Sequence, residues 1–272
     1  MDNSVFPLDA YLTRLNYSGS VQPTEDRLEV LHRAQAYAIP FENFDILLGR
    51  GITLDPPALW NKLIHHARGG YCFELNGVFL MALRALGFEA RALLARVHLV
   101  DPPTGRGHQL LLVTMQGKQW IADVGFGGPG LRAPIPFELN RVATHDGQSF
   151  RLVDAGPYGI MLQTQTNAEW QNLYSFDLGQ VFPNDIVYGN YFTSTHPSSF
   201  FTFARVAALP TPNGRVSLFN HTLRILSPDG EHVQELREGQ PYLDALKTHF
   251  GIELNVPHEA IRPLLATSRA MS

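Results

Sequence analysis

A single cysteine, Cys72, occurs in 272 residues, so no internal disulfide can form and a disulfide-stapled secreted scaffold is excluded. The same count excludes four-cysteine zinc sites, and no metal is expected. Positive charge is thinly spread: 21 Lys and Arg against 25 Asp and Glu leave a net charge of −4. Without a basic run, nucleic acid is not an expected partner. No apolar run approaches the ~20 residues that cross a bilayer, so no membrane association is expected. The opening MDNSVFPLDAYLTRL carries acidic and polar residues where a secretory signal needs a basic end and an apolar stretch. These absences predict a globular cytoplasmic protein. With hydrophobic residues at 44% and charged residues at 17%, the chain has the means to bury a core.

There is no internal repeat and no low-complexity segment. Residues 8–38 read as helical, with Leu12, Leu15, Leu28, Leu31 and Ala34 near helical spacing and a helix start at PTED, 23–26. A second helix is expected over about 57–66, with Leu59, Leu63 and Ile64 on one face. A third opens near Cys72: Leu75, Phe79, Leu83 and Leu86 form one apolar stripe, and Gly87 supplies the stop. Beyond Gly87 the texture changes to short apolar or alternating runs, among them HQLLLVTM and QWIADVGFG, separated by Gly, Pro, Asn and Asp. That pattern predicts successive antiparallel strands in a barrel or strongly curled sheet. Residues 184–225 read as aromatics mixed with polar loop residues, and 132–190 carry no assignable motif. The tail returns to a strand, TLRIL, and helical stretches at PYLDALKTHFG and HEAIRPLLA.

The sulfur sits in RGGYCFELN, 68–76, after two glycines and at the first turn of the third helix. A thiol attacks as its thiolate, and the partial positive charge of a helix N-terminus favours an anion. Gly69 and Gly70 offer backbone conformations closed to other residues, and their amides are candidates for holding an oxyanion. A lone cysteine is ordinarily a small core hydrophobe, so catalysis needs a partner base. Of 11 histidines, His108 stands out because it begins a strand directly after Thr104-Gly105-Arg106-Gly107.

That strand and KQWIADVGFG flank Gln116-Gly117, a two-residue turn. Closing the hairpin there pairs Met115 with Lys118 and sets His108 opposite Gly125, with Asp123 two residues away on the same face. Moving the turn one residue earlier sets His108 directly opposite Asp123. Either register leaves imidazole and carboxylate on one face, with diagonal Cα neighbours roughly 7–8 Å apart; a one-residue slip separates them. Asp123 is expected inside the apolar strand, where an unpaired carboxylate is costly. An Asp beside a His fixes the imidazole tautomer and favours imidazolium, so Cys72, His108 and Asp123 together suit acyl transfer. Spacing alone does not bring Cys72 to His108.

RGGYCFELN, the histidine at 108, DVGFGG from 123, IPFEN at 39–43 and STHPSSFF at 194–201 together resemble the arylamine N-acetyltransferase family of prokaryotic type, in order and spacing over nearly the whole chain. The resemblance implies an α+β fold: an N-terminal helical bundle (1–87) carrying the cysteine, a central antiparallel β-barrel (88–195) carrying His108 and Asp123, and a C-terminal α/β lid (196–272), with a cysteine-protease-like catalytic core. It implies a Cys72–His108–Asp123 triad and ping-pong transfer of acetyl from acetyl-CoA, through a Cys72 thioester, to arylamines, arylhydrazines or N-arylhydroxylamines, in xenobiotic metabolism. Phe41, Phe126 and Phe201 match acceptor-pocket positions, Thr104 and Gly105 match coenzyme positions, and Glu42 with Arg68 matches a structural ion pair. A homodimer is allowed but not implied. DVGFGG has no following helix to offer an N-terminus, so it is not a phosphate loop. A cysteine hydrolase or a transglutaminase-like amine transferase would use the same three groups, and a non-catalytic binding module would keep the fold without needing them.

Overall fold

The computed structural model describes residues 5–20 and 22–264. The first module holds α1 (Leu8–Arg14), α2 (Glu25–Ala38), a two-residue strand β1 (Phe41–Glu42), and the short helices α3 (Phe44–Leu47) and α4 (Pro56–Trp60). α4 runs directly into a π-turn (Asn61–His65), which α5 (Cys72–Ala85) follows after a loop. The expected helical tract over 8–38 is thus two helices, the second begun by Thr24, whose side chain accepts from Arg27 N. The second expected helix is half α and half π, with His66 N donating to Asn61 O five residues back. The extra residue in that turn lets Leu63 and Ile64 enter the core while Lys62 turns inward to Asp45 and Glu74. In α5 the apolar stripe is buried as its spacing requires, and Gly87, with φ of 83°, ends the helix.

Eight strands follow: β2 (Glu89–Val97), β3 (His108–Met115), β4 (Lys118–Ala122), β5 (Ile135–Pro136), β6 (Ala143–His145), β7 (Gln148–Asp154), β8 (Ile160–Thr166) and β9 (Glu169–Phe176). They form one antiparallel sheet in the order β5-β4-β3-β2-β9-β8-β7-β6. It curls into a barrel, and no ladder among the described residues joins the edge strands β5 and β6. β3 is buried on both faces, which is why HQLLLVTM reads as a continuous apolar run. Leu110 and Leu112 enter the barrel core with Phe150, Leu152 and Leu162, whereas Leu111 and Val113 pack in the core shared with α5. His108 shares the parity of the barrel-facing pair.

After β9 comes α6 (Pro183–Thr195), where a polar-aromatic loop was expected from the sequence. Its exposed Val187, Tyr188, Tyr191 and Phe192 hide the amphipathic pattern that would reveal a helix. β10 (Val206–Thr211), β11 (Gly214–Phe219), β12 (Thr222–Ser227) and β13 (Gly230–Glu235) form a second antiparallel sheet, backed by α7 (Gln240–Phe250). β1 joins this sheet beside β10, with Phe41 opposite Ala208. The third module is therefore stitched to the first by a strand. The expected final helical stretch, 258–266, is a single 3₁₀ turn at His258–Ala260, and its last two residues lie outside the described part.

Candidate active site

α5 begins at Cys72, with Tyr71 as its N-cap residue, and Tyr71 N donates to Glu74 Oε2 at 3.1 Å. The two preceding glycines serve a different purpose from the one their freedom implies. Neither has a left-handed φ; they are small because neighbours are close. A Cβ on Gly69 would lie 2.3 Å from Pro40 O, and one on Gly70 2.8 Å from Glu74 Oε2. Gly70 N donates to Pro40 O at 3.2 Å and Gly70 O accepts from Glu42 N at 2.9 Å. The Gly70 amide is therefore engaged in holding the loop, and the expected oxyanion role for it is not available.

The hairpin closes on Gln116-Gly117, both with positive φ, and Met115 pairs with Lys118. That is the first of the two anticipated registers. The ladder ends at Leu111–Ala122, so Asp123 lies just past the strand rather than inside it. Freed from the ladder, it meets the imidazole diagonally: His108 Nε2 is 2.7 Å from Asp123 Oδ2. Both are buried, at 3% and 1% exposure. Burial works against a charged imidazole, but the Asp123 carboxylate outweighs it, through charge and hydrogen bond, and carries His108 up to about 10. Burial likewise opposes the Asp123 anion, and His108 overrides it, holding the carboxyl below its usual range. The pair is an ion pair.

Cys72 adds to the imidazolium's stabilisation from hydrogen-bond range, while its own directed bond runs from Sγ to Gly107 O at 3.7 Å. With Nε2 committed to Asp123, Nδ1 is the ring nitrogen left for the sulfur. Asn76, one helical turn beyond Cys72, had no role in the sequence reading. Its Nδ2 donates to Asp123 Oδ1 at 2.9 Å and Gln109 O at 2.7 Å, and its Oδ1 accepts from Val124 N at 3.0 Å. Its place at i+4 from the cysteine was the available signal. Behind Asp123, His32 Nε2 accepts from Asp123 N at 3.1 Å, and burial presses that histidine down to about 4, so it is neutral. Tyr174 packs against His108 in a tilted arrangement with ring centroids 4.9 Å apart. Burial, then the neighbouring Asp123 charge, hold its phenol far above the usual range.

A cavity of about 690 Å³ has Gly107, the residue whose carbonyl accepts from the Cys72 sulfur, in its wall, and is lined further by Thr104, Gly105, Leu94, Val97, Phe201 and residues of α6. Thr104 and Gly105 thus reach the same cavity as Phe201. The Thr104 hydroxyl is engaged locally, accepting from Val97 N and donating to Gly105 O, both at 2.9 Å. Phe41 and Phe126 do not line that cavity. They bound a narrow recess of about 20 Å³ with Asp123 and Gly127. Phe126 meets His108 edge-on at 5.1 Å, whereas Phe41 pairs with Phe201 at 5.9 Å and Phe201 with Tyr71, the residue before the sulfur, at 5.7 Å. Arg68 reaches Glu42 Oε1 at 2.6 Å in the interior, the anticipated ion pair.

A thiol at a helix start, an imidazole within its reach and a buried carboxylate behind that imidazole define a cysteine acyl-transfer type of site on a helix-plus-barrel scaffold. Residues 25–259 match the model of a family described as N-acetyltransferase. The arylamine N-acetyltransferase / N-hydroxyarylamine O-acetyltransferase of Salmonella typhimurium is 40% identical over 91% of this chain and 89% of its own. The arylamine N-acetyltransferase structure from M. smegmatis superposes with a TM-score of 0.89 at 33% identity, covering 96% of this chain and 99% of that one. The Mycobacterium marinum arylamine N-acetyltransferase solved in complex with CoA gives 0.85 at 36% identity, covering 90% and 92%. The chain belongs to the arylamine N-acetyltransferase family. Among the described residues no helix is long and apolar enough to cross a membrane.

Proposed function

We propose that this protein is an acetyl-CoA-dependent arylamine N-acetyltransferase in which Cys72, His108 and Asp123 carry the reaction. In the first half, the Cys72 sulfur attacks the acetyl carbonyl, the tetrahedral intermediate collapses, and His108 returns a proton to the departing coenzyme A thiolate. In the second half, an aromatic amine or hydrazine nitrogen attacks the thioester and His108 accepts the proton that the nitrogen loses. Asp123 keeps the ring oriented throughout and stabilises the imidazolium that stands before the first half and is regenerated in the second, the ring being neutral in between. Donor and acceptor bind in turn, with Thr104 and Gly105 on the donor's path in the large cavity, and Phe201 in its wall, Phe41 beside Phe201 and Phe126 beside His108 as the contacts for the acceptor ring. The Salmonella relative's double name favours a second acceptor, the oxygen of an N-arylhydroxylamine.

The observation that carries the reading is the buried His108–Asp123 ion pair beside the single cysteine, whose Sγ bonds to Gly107 in the wall of a cavity large enough for a drug-sized ligand. Membership of an acetyltransferase family weighs against water as acceptor, and so against the hydrolase alternative. The three-part division at 87/88 and 195/196, cytoplasmic residence and a homodimer belong to the same proposal; sedimentation of the purified protein tests the last. The central test is the intact mass after brief exposure to acetyl-CoA without amine. One added acetyl group on Cys72, removed by arylamine and absent in Cys72→Ala, is the expected result. An acetyl group elsewhere, or none, overturns it.

A further inference from the structure

Beneath the loop that presents Cys72 lies a compact set of charges the reaction does not use. Lys62 Nζ is 2.8 Å from Asp45 Oδ2 and 2.8 Å from Glu74 Oε1. Asp45 Oδ1 also meets Arg68 and Arg50, each at 3.2 Å, and Arg68 holds Glu42. The π-turn is what aims Lys62 inward, and Lys62 O accepts from Arg68 N at 3.1 Å, anchoring the turn to the loop. Glu74 is the special member. It is fully buried, and burial lifts its carboxyl above the usual range against the pull of Lys62. It sits in the same first turn of α5 as Cys72, and its second oxygen accepts from Tyr71 N, the residue before the sulfur. A buried carboxylate there opposes any negative charge on Sγ unless a cation cancels it.

We propose that Lys62 is a positioning residue for the nucleophile: through Glu74 it holds the Tyr71–Cys72 entry into α5 and cancels the carboxylate charge lodged in that turn. The inference rests on the Cys72 thioester reading. Arg68 does not substitute for it, because its guanidinium is taken by Glu42 and Asp45. The charge on Glu74 is thus the reason Lys62 is needed, and removing that charge removes the need.

Rapid-quench acetylation of the full chain by acetyl-CoA tests this in wild type, Lys62→Arg, Lys62→Met, Glu74→Gln and the double variant Lys62→Met/Glu74→Gln. Lys62→Met is expected to slow acetylation at saturating acetyl-CoA by about 10- to 100-fold while the half-saturating concentration moves less than about twofold. Lys62→Arg is expected within about threefold of wild type, and the double variant recovers at least about tenfold of the loss. If Lys62→Met does not fold, Glu74→Gln and the double variant decide: equal rates within about twofold support the coupling, and a further tenfold loss overturns it. A loss confined to the half-saturating concentration also overturns it. Wild-type protein that takes no acetyl group on Cys72 overturns this inference together with the functional reading, whereas normal wild-type acetylation with an unrescued double variant overturns this inference alone.

Discussion

Asn76 binds Asp123 at 2.9 Å from one helical turn beyond Cys72, so a single helix presents the sulfur and also grips the acid that orients its base. Helix and barrel are docked at the site itself. Its three hydrogen bonds reach Gln109 O on β3 and, in the loop after β4, Val124 N and Asp123 Oδ1, the last shared with Gly125 N.

Replacing Asn76 with Ala leaves Gln109 O and Val124 N without that partner and frees Asp123 on one side. We expect a loss of about 2–4 kcal/mol in denaturant unfolding, from ~1–3 kcal/mol for each buried polar group left unpaired. Acetylation of Cys72 should fall at least about tenfold. Unchanged unfolding with unchanged acetylation would mean that the docking is held elsewhere.

Gly125 lies against the same junction: a Cβ there would stand 2.7 Å from Asn76 Nδ2 and 3.0 Å from Cys72 Cα. Gly125→Ala should destabilise by about 1–3 kcal/mol through overpacking. Gly77→Ala, inside α5 with Leu59 3.7 Å away, should instead raise stability by about 0.5–1 kcal/mol. Thermal unfolding of the two variants side by side separates a tight junction from a general intolerance of the helix.

The His108–Asp123 pair sets a pH dependence of stability. The folded imidazole titrates at about 10 against 6.5 for an exposed one. Its contribution is therefore complete below 6.5 and is lost as pH rises through about 10. Asp123 is depressed below 3.8, so its share is present above that value and disappears on strong acidification. The stability margin of wild type over His108→Gln should thus shrink between pH 6.5 and 10. A margin that stays flat across the window would identify a neutral imidazole.

Phe201 touches Tyr71 edge-on at 5.7 Å and lines the large cavity. Phe201→Ala should weaken kcat/KM for an aromatic amine by about three- to tenfold, the worth of one aromatic pair. Acetylation by acetyl-CoA should change by less than about twofold if the ring serves the acceptor. Equal losses in both half-reactions would assign Phe201 to the scaffold.

Local chemistry was enough to reveal part of this molecule. The stripe of α5 follows from 3.6-residue spacing, the Gly87 stop from its positive φ, and the β3–β4 register from a two-residue turn with glycine. With that register, strand alternation put His108 and Asp123 on one side, but Asp123 leaves the ladder one residue past β4 and reaches the imidazole diagonally from there. Family motifs supplied the remaining members of the site. Other features had no local signature. α6 exposes its aromatics around the cavity, so its pattern is not amphipathic. β1 is two residues long and exists only because β10 arrives beside it.

By itself, then, the sequence determined the helix that starts at Cys72, the hairpin that aligns base and acid, and the absence of any second thiol to compete with the first. Tertiary structure alone decided that Asn76 clasps Asp123, that both glycines before the sulfur are closely packed and the Gly70 amide is bonded to Pro40 rather than open to an oxyanion, and that Lys62 reaches Glu74. Those contacts join residues far apart along the chain or turned by a π-bulge, and only the docking of helix, barrel and second sheet brings their side chains within hydrogen-bond range.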